Sequence, residues 1–151
     1  YFNTEYVSEF ARDYLQEKWD LKKEVCSKED LLVIVKEQVN LENKLSSKAN
    51  KVLLLDTNII TSVNWSITHF DGYCDPWIKK QTELLQYDHY LITNIDIPWA
   101  KDDLRDRPNE RESMLSSLIN QHDIRGLKYS IISGDIDERR SQSIDIIKNL
   151  I

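Results

Sequence analysis

Apolar residues in this chain fall into two rhythms, short unbroken runs and helical stripes, and their order predicts the architecture. Residues 2–7 are short, aromatic and β-branched, as a strand requires. Ser8 is placed to cap a helix whose apolar positions Phe10, Ala11, Tyr14, Leu15 and Trp19 recur at helical spacing. Ser27-Lys28-Glu29-Asp30 resembles a capping box, with Asp30 where Glu is usual. It opens a long helix carrying Leu31, Leu32, Ile34, Val35, Val39, Leu41 and Leu45. Val52-Leu53-Leu54-Leu55 reads as a strand buried on both faces, as in a parallel sheet covered by helices. A weakly patterned helix over residues 60–70 follows, broken at Gly72, and Asp75-Pro76 starts another with Trp77, Ile78, Leu84 and Leu85 on its apolar face.

Tyr90-Leu91-Ile92 reads as the next buried strand and leads through Asn94 and Asp96 to Pro98-Trp99. A polar segment over residues 101–111 precedes a helix with Met114, Leu115, Leu118 and Ile119, which Gly126 ends. Lys128-Tyr129-Ser130-Ile131-Ile132 is a further strand, and Ser133-Gly134-Asp135 turns into a last helix over residues 138–150. Strands alternating with helices imply a parallel α/β sheet with right-handed connections. No repeat, low-complexity stretch or linker divides the chain, so one domain over residues 1–151 is expected.

Composition narrows the function classes. Charged residues at 30% and hydrophobic residues at 40% describe a folded chain, and 26 acids against 20 bases leave a formal charge of −6. That balance offers no broad basic surface, so no nucleic-acid partner is expected. Cys26 and Cys74 lie far apart without a CxxC or a histidine cluster, which reads as two reduced thiols and no zinc site. No apolar run reaches membrane-spanning length and no basic-then-apolar leader is visible, so a cytoplasmic location is expected, with no membrane partner. The chain begins at Tyr1, already within a structured pattern, and is expected to lack an N-terminal piece.

Four constellations are candidates for chemistry. Glu9 and Arg12 stand one helical turn apart at a strand-to-helix junction. A carboxylate there can take a proton from a hydroxyl, and the arginine can hold a phosphate; the competing reading is a solvated surface pair. Asp56, where an apolar strand stops, is placed to bind Mg²⁺, with Thr57 and Asn58 adding neutral oxygens; the alternative is a helix cap. The segment with Asp102, Asp103, Asp106, Glu110, Arg105, Arg107 and Arg111 suggests a lid that closes arginines over phosphates, or else a self-paired charge cluster. Ser133-Gly134-Asp135 lets the backbone approach a flat base, or is a plain turn. The histidines at 69, 89 and 122 show no ligand spacing, and Trp65, Trp77 and Trp99 read as core or wall residues.

An ordered set of short motifs then carries a resemblance. Glu9-Phe10-Ala11-Arg12-Asp13, Leu54-Leu55-Asp56-Thr57-Asn58, Trp65-Ser66, Cys74-Asp75-Pro76-Trp77-Ile78, Asn94-Ile95-Asp96-Ile97-Pro98-Trp99, Asp103-Leu104-Arg105 and Ile132-Ser133-Gly134-Asp135 fall in sequence across the chain. Together they resemble the P-loop kinase domain of NadR-type ribosylnicotinamide kinases. That resemblance implies a three-layer parallel sheet of P-loop nucleoside-kinase type. It also implies transfer of ATP's γ-phosphate to the 5′-hydroxyl of nicotinamide riboside or a related nucleoside, with Mg²⁺, in NAD salvage. Carried over, Glu9 is a candidate base or ribose contact and Arg12 lies near the phosphates. Asp56 stands on the Mg²⁺ and substrate side with Asn58, Asp96 and Trp99 lie near the nucleoside, Arg105 and Arg111 belong to the lid, and Ser133, Gly134 and Asp135 lie by the adenine.

Two departures matter. No GxxxxGK[ST] is present, so the chain is expected to lack the phosphate-cradling loop and the first strand before it, and to be inactive alone. Asn58 stands where the family commonly has a second Asp, which removes one negative charge. Outside that family, Asp-Thr-Asn after an apolar strand also resembles PIN-like metal-dependent ribonucleases, with Glu83, Asp96, Asp103 or Asp135 as further ligands. Against that reading, a predicted strand and two helices precede the motif here. A third expectation is a non-catalytic regulator that senses a nucleotide.

Overall fold

The computed structural model describes residues 1–151 and divides into two compact units, Tyr1–Leu85 with Asp102–Leu104, and Gln86–Lys101 with Arg105–Ile151. The first unit runs β1 (Tyr6–Val7), α1 (Phe10–Lys22), α2 (Lys28–Ser46), β2 (Leu54–Leu55), α3 (Ile59–His69) and α4 (Pro76–Leu84). In the second, β3 (Tyr90–Thr93), α5 (Arg111–Asp123), β4 (Tyr129–Ile132) and α6 (Ile136–Lys148) follow. Every expected element is present, and both strand pairs are parallel: Tyr6 and Val7 lie opposite Leu54 and Leu55, and Tyr90 through Thr93 opposite Tyr129 through Ile132. This is a mixed α/β fold with short parallel strands, in two ladders of two strands each. No helix is long and apolar enough to cross a membrane.

In the first unit the strands are shorter than their apolar runs. Asn3 and Lys51 adopt positive φ of 50° and 65°, which turns the chain out of extended geometry ahead of each strand. Between those bends the Thr4 hydroxyl donates to the Val52 carbonyl at 2.5 Å and accepts from the Asn50 amide at 2.8 Å. A side chain thus does at Val52 what a ladder bond would have done. The leucines at 53–55 are half-buried rather than buried on both faces, because a two-stranded ladder leaves each strand an unpaired edge. The core lies instead between Val7, Leu31, Ile34, Val35, Ile59, Ile60, Val63 and Ile78, with α2 packed on β1, α1 and α3.

Asp30 holds the α1–α2 corner. Ser27 caps α2 as expected, with the Asp30 amide donating to Ser27 Oγ at 3.1 Å and the Ser27 amide donating back to Asp30 Oδ2 at 2.7 Å. The same carboxylate accepts from Lys18 Nζ at 2.5 Å and from the Tyr14 hydroxyl at 3.0 Å, both on α1. Burial alone would raise this carboxyl, but the bonds from Lys18, Ser27 and Tyr14 together outweigh it and bring it to about 2. At the other end of α1 the expected cap is displaced: Glu9, not Ser8, is the N-cap residue, and its side chain makes no capping bond. Gln38 of α2 supplies the missing acceptor, taking the Phe10 amide on Oε1 at 3.0 Å.

In the second unit the apolar residues of α5 are only half-buried, and its innermost side chains are Gln121 and His122. His122 is 1% exposed, between the rings of Tyr90 and Tyr129. The Leu118 carbonyl accepts from its Nδ1 at 2.8 Å, so the proton sits there and the buried Nε2 has no hydrogen-bond partner. Burial, helped by the Arg125 charge, pushes its pKa down against the Leu118 bond and Asp123.

Two stability predictions follow from these groups. Asp30→Ala destabilises the folded chain by roughly 2 kcal/mol near neutral pH. Because the folded-state carboxyl lies low, its contribution is whole above the unfolded value and is lost as pH falls toward about 2. Denaturant titrations should therefore show wild type and variant converging in acid. A separate loss sets in earlier. Below about pH 6.5 the unfolded chain takes up a proton that folded His122 resists, so stability drops as pH falls. His122→Phe flattens this slope between pH 7 and pH 5, and an unchanged slope refutes the assignment.

Candidate functional site

Polar side chains gather where the parallel strands end at their carboxyl termini, the edge at which open α/β sheets bind ligands. In the first unit the Asp56 amide donates to the Val7 carbonyl at 2.8 Å, so the strand pairing itself anchors the residue. The Asp56 side chain is exposed. Thr57 follows at φ 70°, a left-handed conformation disfavoured for a β-branched residue and costing of order 1–3 kcal/mol. Asn58 then caps α3, its Oδ1 accepting from the Ile60 and Thr61 amides at 2.8 and 3.3 Å. The capping role is therefore Asn58's, and the Asp56 carboxylate is free of it.

Glu9 lies beside Asp56 at the end of β1. The Glu9 carboxylate makes no capping bond and faces Arg12, whose Nε stands 3.6 Å from Oε2. Burial raises the Glu9 carboxyl above its ordinary range; Arg12 opposes this and the Asp56 charge adds to it. Arg12 also donates from Nη1 to Asp102 Oδ2 at 3.3 Å, and Gln16 donates to Asp103 Oδ2 at 3.3 Å. Arg12 and Asp102 are 45% and 32% exposed, so that ion pair contributes at most about 1 kcal/mol and exchanges readily. Glu9, Arg12 and Asp56 thus lie close together, with Asn58 two residues beyond Asp56. No three His, Cys, Asp or Glu side chains meet in a way that could hold a metal ion. Mg²⁺ bound mainly by water and phosphate oxygens requires only one or two carboxylates.

In the second unit the loops after β3 and β4 are tied into one network. The Asn94 amide extends the ladder to the Ile132 carbonyl at 2.9 Å, and Asn94 Nδ2 donates to Ser133 Oγ at 3.1 Å. The Gly134 amide donates to Asp96 Oδ2 at 2.6 Å, and Arg139 donates to Asp96 Oδ1. The Gly134 amide first, then the Arg139 charge and bond, hold the Asp96 carboxyl below its ordinary range. Asp135 caps α6 reciprocally with Glu138. Gly134 stands at φ 93°, a conformation L side chains rarely adopt, and a Cβ there would displace the capping Glu138 carboxylate.

The remaining expected residues take more local roles. Arg111, at the start of α5, donates to the Ile95 and Ile97 carbonyls at 3.0 and 2.7 Å, and Arg105 to the Ala100 carbonyl at 3.1 Å. Both therefore brace the loop after β3. Arg107 pairs with Glu110 at 3.1 Å, the self-pairing that the charge pattern allowed. Trp99 is half-buried in the same loop.

Three residues escaped the sequence reading. Gln38 is a polar residue on the buried stripe of α2 with Leu31, Ile34 and Val35, a visible signal of a buried amide with a task. Arg139 and Gln142 lie one turn apart on α6, just beyond the Asp135 cap, where side chains reach back over the loop that opens the helix.

Comparison with known proteins bears on the family of the chain. No curated protein matches the chain. A family model described as AAA domain matches residues 1–139, nearly the whole chain. Such P-loop domains bind nucleotides, ATP with Mg²⁺ in general, and a mixed α/β fold of short parallel strands is consistent with one. The chain belongs to the AAA domain family.

Proposed function

We propose that this chain is part of an ATP-dependent nucleoside kinase of the NadR type. In this reading it phosphorylates the 5′-hydroxyl of nicotinamide riboside, or a related nucleoside, in NAD salvage. The observation that carries the reading is the Glu9 carboxyl, raised by burial and by Asp56, beside Arg12 at the end of a parallel strand. A carboxylate of raised proton affinity is suited to accept a hydroxyl proton as the nucleophile attacks. Arg12 exchanges its weak contact with Asp102 for a phosphate oxygen, and Asp56 takes the Mg²⁺ side. Mg²⁺ held on the Asp56 side would neutralise charge on the phosphates.

Asn58 keeps α3 capped next to that site, and Asp96 and Trp99 border the nucleoside. Arg105 and Arg111 shape the lid, and Ser133, Gly134 and Asp135 offer a flat surface to adenine. The reading treats residues 1–151 as one domain of the three-layer parallel P-loop nucleoside-kinase type. It takes the phosphate-cradling loop from outside these residues, so that residues 1–151 alone do not turn over. The protein acts on small molecules in the cytoplasm, with no nucleic-acid or membrane partner.

Transfer of labelled γ-phosphate from ATP to nicotinamide riboside by the full natural protein tests this. Glu9→Gln and Asp56→Ala should each lower kcat by about 10²-fold or more, with thermal stability retained. The acid limb of kcat/KM should lie above the ordinary carboxylate range, activity falling as pH drops through the Glu9 value, and Glu9→Gln should abolish that limb. Absence of transfer to this or any related nucleoside refutes the proposal. At Asn58, exchange for Ala costs about 1 kcal/mol of stability and exchange for Asp costs almost none, because Asp caps equally well.

A further inference from the structure

The loop after β4 has no main-chain polar group to spare. The Ser133 amide and carbonyl pair with the Gln142 side-chain amide at 3.2 and 2.8 Å. The Gly134 amide goes to Asp96, and the Gly134 carbonyl accepts from Arg139 Nε at 2.8 Å. The Asp135 amide goes to Glu138 at 2.8 Å, and its carbonyl accepts the Arg139 amide at 3.0 Å. Arg139 is the side chain of α6 that reaches both loops, since its Nη2 also donates to the Asn94 carbonyl at 3.1 Å and to Asp96. Its side chain is only 12% exposed, whereas that of Asp96 is 34% exposed. The guanidinium is enclosed and spent on three acceptors. The carboxylate still turns part of its surface outward.

We propose that Arg139 is a positioning residue for Asp96: its planar fork locks the two strand-end loops together and aims the free lone pairs of the carboxylate at hydroxyl donors of a bound nucleoside. A carboxylate has about four acceptor sites, and Gly134 and Arg139 occupy one on each oxygen. What remains suits a neutral hydroxyl donor and repels a phosphate. Lysine cannot replace this arginine fully, because a single ammonium cannot satisfy Gly134, Asn94 and Asp96 in the fork's fixed geometry.

The kinetic arm of the test rests on the nucleoside-kinase reading, and the exchange arm does not. In the full natural protein, Arg139→Ala should raise the KM for nicotinamide riboside about tenfold while kcat changes less than about threefold. Arg139→Lys should recover part of that loss. The double variant Arg139→Ala with Asp96→Asn should be no worse than Asp96→Asn alone, since Arg139 acts through Asp96. Independent, additive effects of the two changes overturn the proposal.

Amide hydrogen exchange needs no substrate. Exchange at Gly134 should quicken in Arg139→Ala while the β3–β4 ladder amides stay protected. Unchanged exchange at Gly134, or loss of ladder protection together with it, overturns the positioning role. Faster Gly134 exchange without phosphoryl transfer to any nucleoside supports the clasp and refutes only the kinase reading.

Discussion

Parallel pairing is the constraint on which this chain depends. Two parallel strands cannot be joined by a tight turn, so each ladder needs a crossover long enough to carry helix. β1 and β2 are joined through α1 and α2, and β3 and β4 through α5. With only two residues per strand, the first ladder contributes few bonds of its own. Its geometry is held by what surrounds it: Val7 in the core, α2 against β1, and the Asp30 cluster that pins α2 to α1. Removing that corner loosens the strand end where Glu9 and Asp56 sit.

The same constraint concentrates polar groups. Paired parallel strands finish together, and each is followed by a chain turning toward a helix, so unpaired amides collect at the carboxyl edge of each ladder. Most polar side chains there answer that local need first. Asn58 caps α3, Asp135 and Glu138 cap α6, Gln38 caps α1 from a neighbouring helix, and Gln142 satisfies Ser133. Functional candidates are then recognisable as the groups left over. Glu9 makes no capping bond, Asn58 rather than Asp56 caps α3, and Asp96 keeps an outward face after Gly134 and Arg139 are served. Electrostatics then separates two of these carboxylates: burial and a neighbouring acid raise Glu9, while an amide and a guanidinium lower Asp96.

Much of this was legible from residue order. The capping box at Ser27 and Asp30, the Asp75-Pro76 helix start and all four strands stand where the apolar rhythm and cap chemistry place them. Misreadings share one cause, a partner distant in sequence. Ser8 is the better cap by residue type, but Gln38 makes Glu9 a viable one. The run at residues 52–55 has full strand character, yet Thr4 takes the Val52 carbonyl and shortens the ladder. On α5, a histidine clasped between two tyrosines takes the innermost place and the leucines are half-buried.

The sequence by itself determined the local quantities: which segments are helix or strand, where most helices start, that the strands run parallel, and which short motifs recur together. Those follow from side-chain periodicity and from bonds made within a few residues. Only the tertiary structure decided which polar groups are already committed. Asp96 is bound to a glycine amide and to an arginine more than forty residues away, and the Glu9 carboxyl is raised by burial and by Asp56 across a strand pair. Hydrogen bonding and desolvation act over ångströms in space rather than positions in the chain, so the state of a carboxylate is readable only after the strands have brought its neighbours to it.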